Sequence, residues 1–216
     1  MKANKQAYHH GDLKLSLINA AKQILRESGL ASLSMRRLAE VTGVSRSAPY
    51  HHFSDKQALL CAIAEDGFQQ QDRLLAALAA NTTNNPQQQL FEQFVLAYVH
   101  FAANNPQQYD LMYGSEIWRS GKPDEALEQA AKASFKRWVN EISQLQAAGV
   151  LQQNVPALRL SQVTWATLHG LCRLLNDGIY VDARDIDDMG RTAVALLTST
   201  HQGKNLGGSE NPGTEC

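Results

Sequence analysis

The chain has 216 residues, 44% of them hydrophobic and 19% charged, with a formal net charge of -1. That balance excludes a wholly disordered chain, and no uncharged apolar run approaches the roughly 18 residues that crossing a bilayer demands. The three cysteines, Cys61, Cys172 and Cys216, stand far apart without Cys-x-x-Cys spacing. This argues against a disulfide framework or a zinc site and fits a reducing cytosol. The start, Met1 to Gln6, leads into no apolar stretch of a secretory signal, so the chain is expected to be soluble and cytoplasmic. Charge is unevenly spread. Through residue 60 there are nine Lys and Arg against four Asp and Glu, a surplus of five positive charges, whereas residues 61–216 carry a surplus of six negative ones. A basic head on an acidic body suggests that the head meets a polyanion, and a chance surface imbalance explains the charge equally well.

Ala, Leu and Gln dominate and Val/Ile/Thr alternation is nearly absent, so helices are expected throughout. The first is predicted from Asp12, as N-cap, to Ser28, with Leu13, Leu17, Ala20, Ala21, Ile24 and Leu25 on one face and Gly29 ending it. Ser34 caps a short second helix with Leu38, Ala39 and Val41 inward, broken at Thr42-Gly43-Val44. Ser45 caps a third, Arg46 to about Phe53, and Ser54-Asp55 opens a long fourth helix to about Ala80. Asn84-Asn85-Pro86-Gln87-Gln88 then recurs word for word as residues 104–108. Asn followed by Pro is a helix-start code, because Pro has no N–H to leave unpaired and already holds a helical φ. The two copies therefore bracket one helix with the stripe Phe91, Phe94, Val95, Tyr98 and Phe101, and the second copy opens a short helix to Tyr113. Helices are expected at about 123–148, 156–177 and 187–201, followed by a loose tail from 203 with Gly207-Gly208 and Asn211-Pro212-Gly213.

Residues 34–60, SMRRLAEVTGVSRSAPYHHFSDKQALL, carry the functional signal. A helix–turn–helix crosses two short helices over a tight, glycine-containing turn, and Gly43 sits where that turn needs it. The second helix would turn Arg46, Ser47, Tyr50 and His51 outward, and each can hydrogen-bond a phosphate or a base edge. Pro49 falls in its first turn, where a helix tolerates proline best. On pattern alone a small helical hairpin with a solvated polar face remains the alternative.

At these residues the chain resembles the TetR (tetracycline repressor-like) family of bacterial transcription regulators. The resemblance runs from Tyr8 to Leu60, through Tyr8-His9-His10-Gly11-Asp12-Leu13, Arg36-Arg37-Leu38-Ala39, Gly43-Val44-Ser45, Ala48-Pro49-Tyr50-His51-His52-Phe53, Lys56 and Leu59-Leu60. Trp165…His169-Gly170 is similar to a Trp-His-Gly signature in the C-terminal domain of one subgroup. The resemblance implies an all-α protein. A three-helix DNA-binding domain would span residues 1–60, a helical ligand-binding and dimerisation domain 61–202, and a tail 203–216. It also implies a ligand-responsive homodimeric repressor, whose partners would be an inverted-repeat DNA operator and a small, mostly apolar effector. Ser34, Arg36, Ser45, Arg46, Ser47, Tyr50, His51 and Lys56 would meet DNA, with Tyr50 and Lys56 on phosphates and Arg46 as a base reader or a backbone contact. Many family members have Gly or Thr and then Leu or Phe where Ala48-Pro49 stands here.

For the body, the resemblance places a ligand among Tyr98, Tyr109, Met112, Trp138, Trp165 and His169. Read by themselves, aromatic stripes on helices are more often core than pocket. His169 would then be a core histidine satisfied by a carbonyl. The last two long helices would pair across a two-fold axis through Leu168, Leu171, Leu175, Val194 and Leu197. The rival is a helical small-molecule carrier, or an enzyme, with a basic head that meets something other than duplex DNA. No Gly-x-Ser-x-Gly, phosphate loop or His-Glu-x-x-His occurs, so no catalysis, cofactor or metal is expected. His9-His10 and His51-His52 would bind metal only if the fold joined them, and Asp185-Ile186-Asp187-Asp188 reads as an acidic helix start. Cys61 or Cys172 as an oxidant sensor is the third possibility; buried inert thiols are the default.

Overall fold

The computed structural model describes residues 10–80, 87–119, 123–179 and 182–198, and every regular element among them is helical. The helices are α1 (His10–Ser28), α2 (Met35–Thr42), α3 (Lys56–Ala80), α4 (Gln87–Asn104), α5 (Pro106–Tyr113), α6 (Ser115–Trp118), α7 (Glu125–Ala147), α8 (Ala157–Asn176) and α9 (Ile186–Thr198). Short 3-10 turns stand at Leu30–Ser32, Ala48–His51 and Ala183–Asp185. No helix among the described residues is long and apolar enough to cross a membrane. Pro86, the expected tail and the stretch Tyr8-His9 lie outside the described residues.

Local chemistry accounts for the head. Ser34 accepts the Arg37 N–H at 3.2 Å and so caps α2. Gly43, at φ 69° and ψ 25°, ends it, and the N–H groups of Gly43 and Val44 close on the carbonyls of Glu40 and Ala39. Asp55 caps α3 through the Ala58 N–H at 2.8 Å. Two expectations need correction here. Helix α1 is already under way at His10, so Asp12 lies within it and not at its cap. Val41 is exposed, because the inward face of α2 is Met35, Leu38 and Ala39, and Val41 is rotated well away from that stripe.

The third helix is also different. Arg46 and Ser47 form a turn, and only Ala48–His51 is helical, in 3-10 form. Pro49 has no N–H for the Ser45 carbonyl, and that carbonyl instead accepts from Ala48 at 3.0 Å, which tightens the turn. Ser45 makes no backbone cap with its side chain; its Oγ lies 3.2 Å from that of Ser47. Asn105 departs too: it flanks Pro106 at the start of α5, but its amide donates back to the Phe101 carbonyl at 3.0 Å and so finishes α4.

Two apolar clusters hold the chain together. One joins Leu17, Ile24 and Leu25 of α1 to Leu38, Phe53, Leu59 and Ile63, and continues into Leu111, Ile117 and Leu127 of α5, α6 and α7. The other joins Phe91, Val95 and Tyr98 of α4 to Trp138 and Ile142 of α7, Leu160 and Cys172 of α8, and Val194 of α9. The expected head ends at residue 60, which lies inside α3. That helix starts in the first cluster and runs on against α4, α5 and α7.

Candidate functional site

The head presents a polar, cationic surface. Ser34, Arg36, Ser45, Arg46, Ser47 and His51 are exposed, and the Tyr50 ring stands 55% exposed although it is large and aromatic. Arg36 and Arg46 make no ion pair or hydrogen bond to the described residues, so their charge is uncompensated. Lys56 is half-buried, and its Nζ donates to the Leu30 carbonyl at 3.0 Å. That bond fixes the ammonium at the base of the turn and leaves two of its three N–H groups for an outside acceptor. Beneath this surface Pro49 and Phe53 are buried and hold the turn on the head core.

The body contains a cavity of about 610 Å³. Phe68, Gln71 and Leu75 of α3 form one wall, Phe94 and Tyr98 of α4 another, and Met112, Tyr113 and Trp118 of α5 and α6 a third. Phe135 and Trp138 of α7 and Trp165 and Leu168 of α8 complete it. The indole N–H groups of Trp118 and Trp138 are spent on the carbonyls of Met112 (2.7 Å) and Ser161 (3.1 Å), so both rings face the space as apolar wall. Of the expected ligand residues, Tyr98, Met112, Trp138 and Trp165 line the cavity.

Tyr109 and His169 do not line it; they sit behind the wall. The Tyr98 and Tyr109 hydroxyls are 3.0 Å apart, and the Tyr109 hydroxyl lies 2.7 Å from His169 Nδ1. The His169 ring stacks on Trp165 at 5.1 Å. Burial, and then the nearby Arg173 guanidinium, push the imidazole below its ordinary value. That favours the neutral ring, in which one nitrogen donates and the other accepts. Burial raises the phenols of Tyr98, Tyr109 and Tyr113, which keeps each hydroxyl protonated and able to donate. His169 is half-buried and bonded to a tyrosine hydroxyl, where a carbonyl was the expected partner of a core histidine.

Among the wall residues that the pattern did not single out are Phe68, Gln71, Asp72 and Leu75, with Ser134 and Gln162 as further polar groups. Asp72 is ion-paired with Arg137 at 2.5 Å. Gln71 Oε1 accepts from the Tyr113 hydroxyl at 3.1 Å, while its Nε2 is buried with no hydrogen-bond partner among the described residues. Both cysteines in the described residues are buried, and burial pushes their thiols up, Cys172 to about 12. Such thiols are poor oxidant sensors. No group of three His, Cys, Asp or Glu that could hold a metal occurs among the described residues.

Comparison with known proteins decides what kind of chain carries this pair of sites. Residues 17–63 match the family model for bacterial regulatory proteins of the tetR family, and residues 91–197 match the tetracyclin repressor-like C-terminal domain. The chain belongs to the tetR family. Its head is 40% identical over 50 residues to the HTH-type transcriptional repressor AcnR of Corynebacterium efficiens, covering 23% of this chain and 27% of that protein. It is 48% identical over 50 residues to the tetracycline repressor protein class A from transposon 1721 of Escherichia coli, covering 23% of each. The match thus spans about a quarter of the length of these curated relatives. A solved structure of a protein with unknown function from Rhodococcus sp. RHA1 is 32% identical with a TM-score of 0.74, covering 90% of this chain and 100% of that one.

Within this tetR-family chain, the expected dimer residues need correction. Leu168 and Val194 are buried inside the protomer, Leu168 on the cavity wall, and Leu175 and Leu197 pack half-buried on the second core. Leu171 is half-buried. Their α8 stripe shares a face with Leu160, Thr164 and Cys172, all buried, so it points into the chain's own core. The large apolar side chains left outside on these two helices are Leu158, Val163 and Leu174 on α8 and Leu196 on α9, the last 73% exposed.

Proposed function

We propose that the chain is an intracellular, ligand-responsive transcriptional regulator that represses an inverted-repeat operator as a homodimer. Functionally, residues 1–60 would form the DNA-binding unit and 61–202 the ligand-binding and dimerisation unit. The observation that carries this reading is the course of α3. Its first turns, at Leu59, Leu60 and Ile63, belong to the core under the cationic turn, and its later turns, at Phe68, Gln71 and Leu75, line the cavity. A molecule in the cavity touches the element on which the head is built. The Trp165, His169 and Gly170 positions support placement in the Trp-His-Gly subgroup.

In the head, Ser34, Arg36 and Ser45 would hold the backbone with Tyr50 and Lys56, while Arg46, Ser47 and His51 reach base edges. Arg can pair bidentately with guanine and discriminate by about 1–3 kcal/mol. One short turn makes few contacts, so affinity requires two heads spaced by about 34–36 Å on successive faces of the duplex. The exposed face of Val163, Leu174 and Leu196 would supply that pairing. Nothing in the site brings together a nucleophile and a base, so the cavity is read as a binding site and not a catalytic one.

Selection of bound sequences from random duplex DNA at stated salt tests this directly. An inverted repeat is expected, and Arg46→Ala should relax the preference at one base pair per half-site while leaving the others intact. Recovery of no sequence, with binding lost by about physiological salt, would leave only a non-specific polyanion contact and favour a carrier with a basic head.

A further inference from the structure

The head presents its polar side chains from a backbone that is not α-helical, and one buried residue accounts for this. The Ala48 N–H donates to the Ser45 carbonyl at 3.0 Å and the Tyr50 N–H to the Ser47 carbonyl at 3.1 Å, each three residues back. An α-helix through the same residues would join residue 49 to Ser45 and Tyr50 to Arg46. Pro49 forbids the first of these bonds, because it has no N–H and its ring crowds the carbonyl four residues earlier. Its own carbonyl accepts from both His52 and Phe53 at 3.0 Å, so the four-residue spacing returns only at the buried Phe53.

This form of the turn decides which side chains stand together. In a 3-10 helix each residue advances about 120° and about 2.0 Å, against about 100° and about 1.5 Å in an α-helix. Side chains three apart then eclipse, which lines up Ser47 with Tyr50 and the Ala48 methyl with His51. Ser47 and His51, both exposed, diverge by about 120°, where an α-helix would set them about 40° apart on one face. The base edges that these two side chains can reach therefore depend on the backbone form. Pro49 itself is buried and offers DNA nothing. We propose that Pro49 is a positioning residue for operator choice: by holding residues 47–51 in 3-10 form it fixes which base pair His51 reaches. The inference rests on the reading of the head as a sequence-specific DNA-binding unit.

Pro49→Leu restores the N–H and keeps an apolar side chain at the buried position, and it tests the proposal in the full-length protein. Backbone carbon chemical shifts of residues 46–52 should move toward α-helical values. Sequences selected from random duplex DNA should differ from the native operator at one or more base pairs per half-site, and the native operator should bind the variant at least about tenfold less tightly. Affinity for random duplex at low salt should stay within about twofold, because every cationic side chain is kept. His51→Ala locates the His51 contact in each background, and should relax one base pair in the native head and a different one in Pro49→Leu. Pro49→Ala, which also restores the N–H without adding bulk, should shift the selected sequence at the same positions. An unchanged selected operator, or the same His51 base pair in both backgrounds, overturns the proposal. So does an affinity loss equal for every sequence, which would make Pro49 a support of the head and nothing more. Chemical shifts unchanged in both variants overturn it while leaving the regulator reading intact, whereas a native protein that selects no sequence removes that reading and the proposal together.

Discussion

At His169 a half-buried imidazole shares a 2.7 Å hydrogen bond between Nδ1 and the Tyr109 hydroxyl, and burial together with Arg173 holds its pKa below the ordinary 6.5. Protonation would place a charge on a ring whose burial and Arg173 neighbour both disfavour it. The unfolded chain, by contrast, takes up the proton as pH falls through about 6.5. Between the lowered native value and about 6.5 the unfolded state therefore binds more protons, and native stability declines as pH drops through that window. Above it the group contributes nothing to the pH slope. The expected outcome is that the native protein loses more melting temperature between about pH 7.5 and about pH 5.5 than His169→Asn, whose amide stands at the Nδ1 position facing Tyr109 but does not titrate. Equal losses in the two proteins would show that His169 is not held neutral by its surroundings. The same scale shows why part of the cavity was hidden in the sequence. Gln69, Gln70 and Gln71 are indistinguishable in type and neighbourhood, yet Gln69 is exposed and Gln71 is buried against the cavity. Only the packing of α5, whose Tyr113 hydroxyl meets Gln71, separates them, whereas Trp138 and Trp165 announce themselves by size.

Helix by helix, what could be read in advance was what local chemistry determines. Ser34, Gly43 and the Asn-Pro pair at 105–106 mark ends because caps and prolines act within a turn of themselves. The recognition turn escaped because Pro49 acts through a missing bond whose consequence, a 3-10 turn, depends on which neighbour takes the free carbonyl. Helix α8 escaped for another reason: it is apolar on two faces. Leu160, Leu168 and Cys172 fill the protomer's core, while Val163 and Leu174, eleven residues apart and so about three turns along one side, face outward. Periodicity finds both stripes and cannot tell the chain's own core from a partner's. If the outer stripe and Leu196 form the dimer face, a carboxylate there would be buried unpaired in the pair and solvated in the monomer. Val163→Glu with Leu196→Glu should therefore raise the dimer dissociation constant by about two orders of magnitude or more, seen by sedimentation, with helical content unchanged. Operator affinity should fall with it. A variant that sediments as the native dimer would move the interface elsewhere.

Across the whole molecule, the question is how a cavity in the body changes what the head binds. Asp66 of α3 gathers partners from both halves: Lys22 of α1 at 2.7 Å, Gln108 of α5 at 3.2 Å, and Gln70 and Arg73 of its own helix. Gln108 also donates to the Ile63 carbonyl at 2.9 Å, tying α5 to α3 a second time. One residue on, Gly67 lets α5 approach so closely that a Cβ there would stand 2.4 Å from Met112 Sδ, and Met112 is itself cavity wall. An occupant that displaces Met112 therefore moves α5 against α3 with no slack between them, and the Asp66–Lys22 pair carries the displacement to α1. Because such coupling is a free energy shared by two sites, operator must change ligand affinity by the same factor by which ligand changes operator affinity, typically about 5–150-fold. With a small molecule that binds the cavity and the selected operator, the two factors agree in the native protein. Asp66→Ala should bring both toward one, since the body then moves without pulling α1, while ligand affinity without DNA stays within about twofold because Asp66 lies off the cavity wall. A variant that keeps the native factor would show that the head is driven through the apolar contacts of α3 alone.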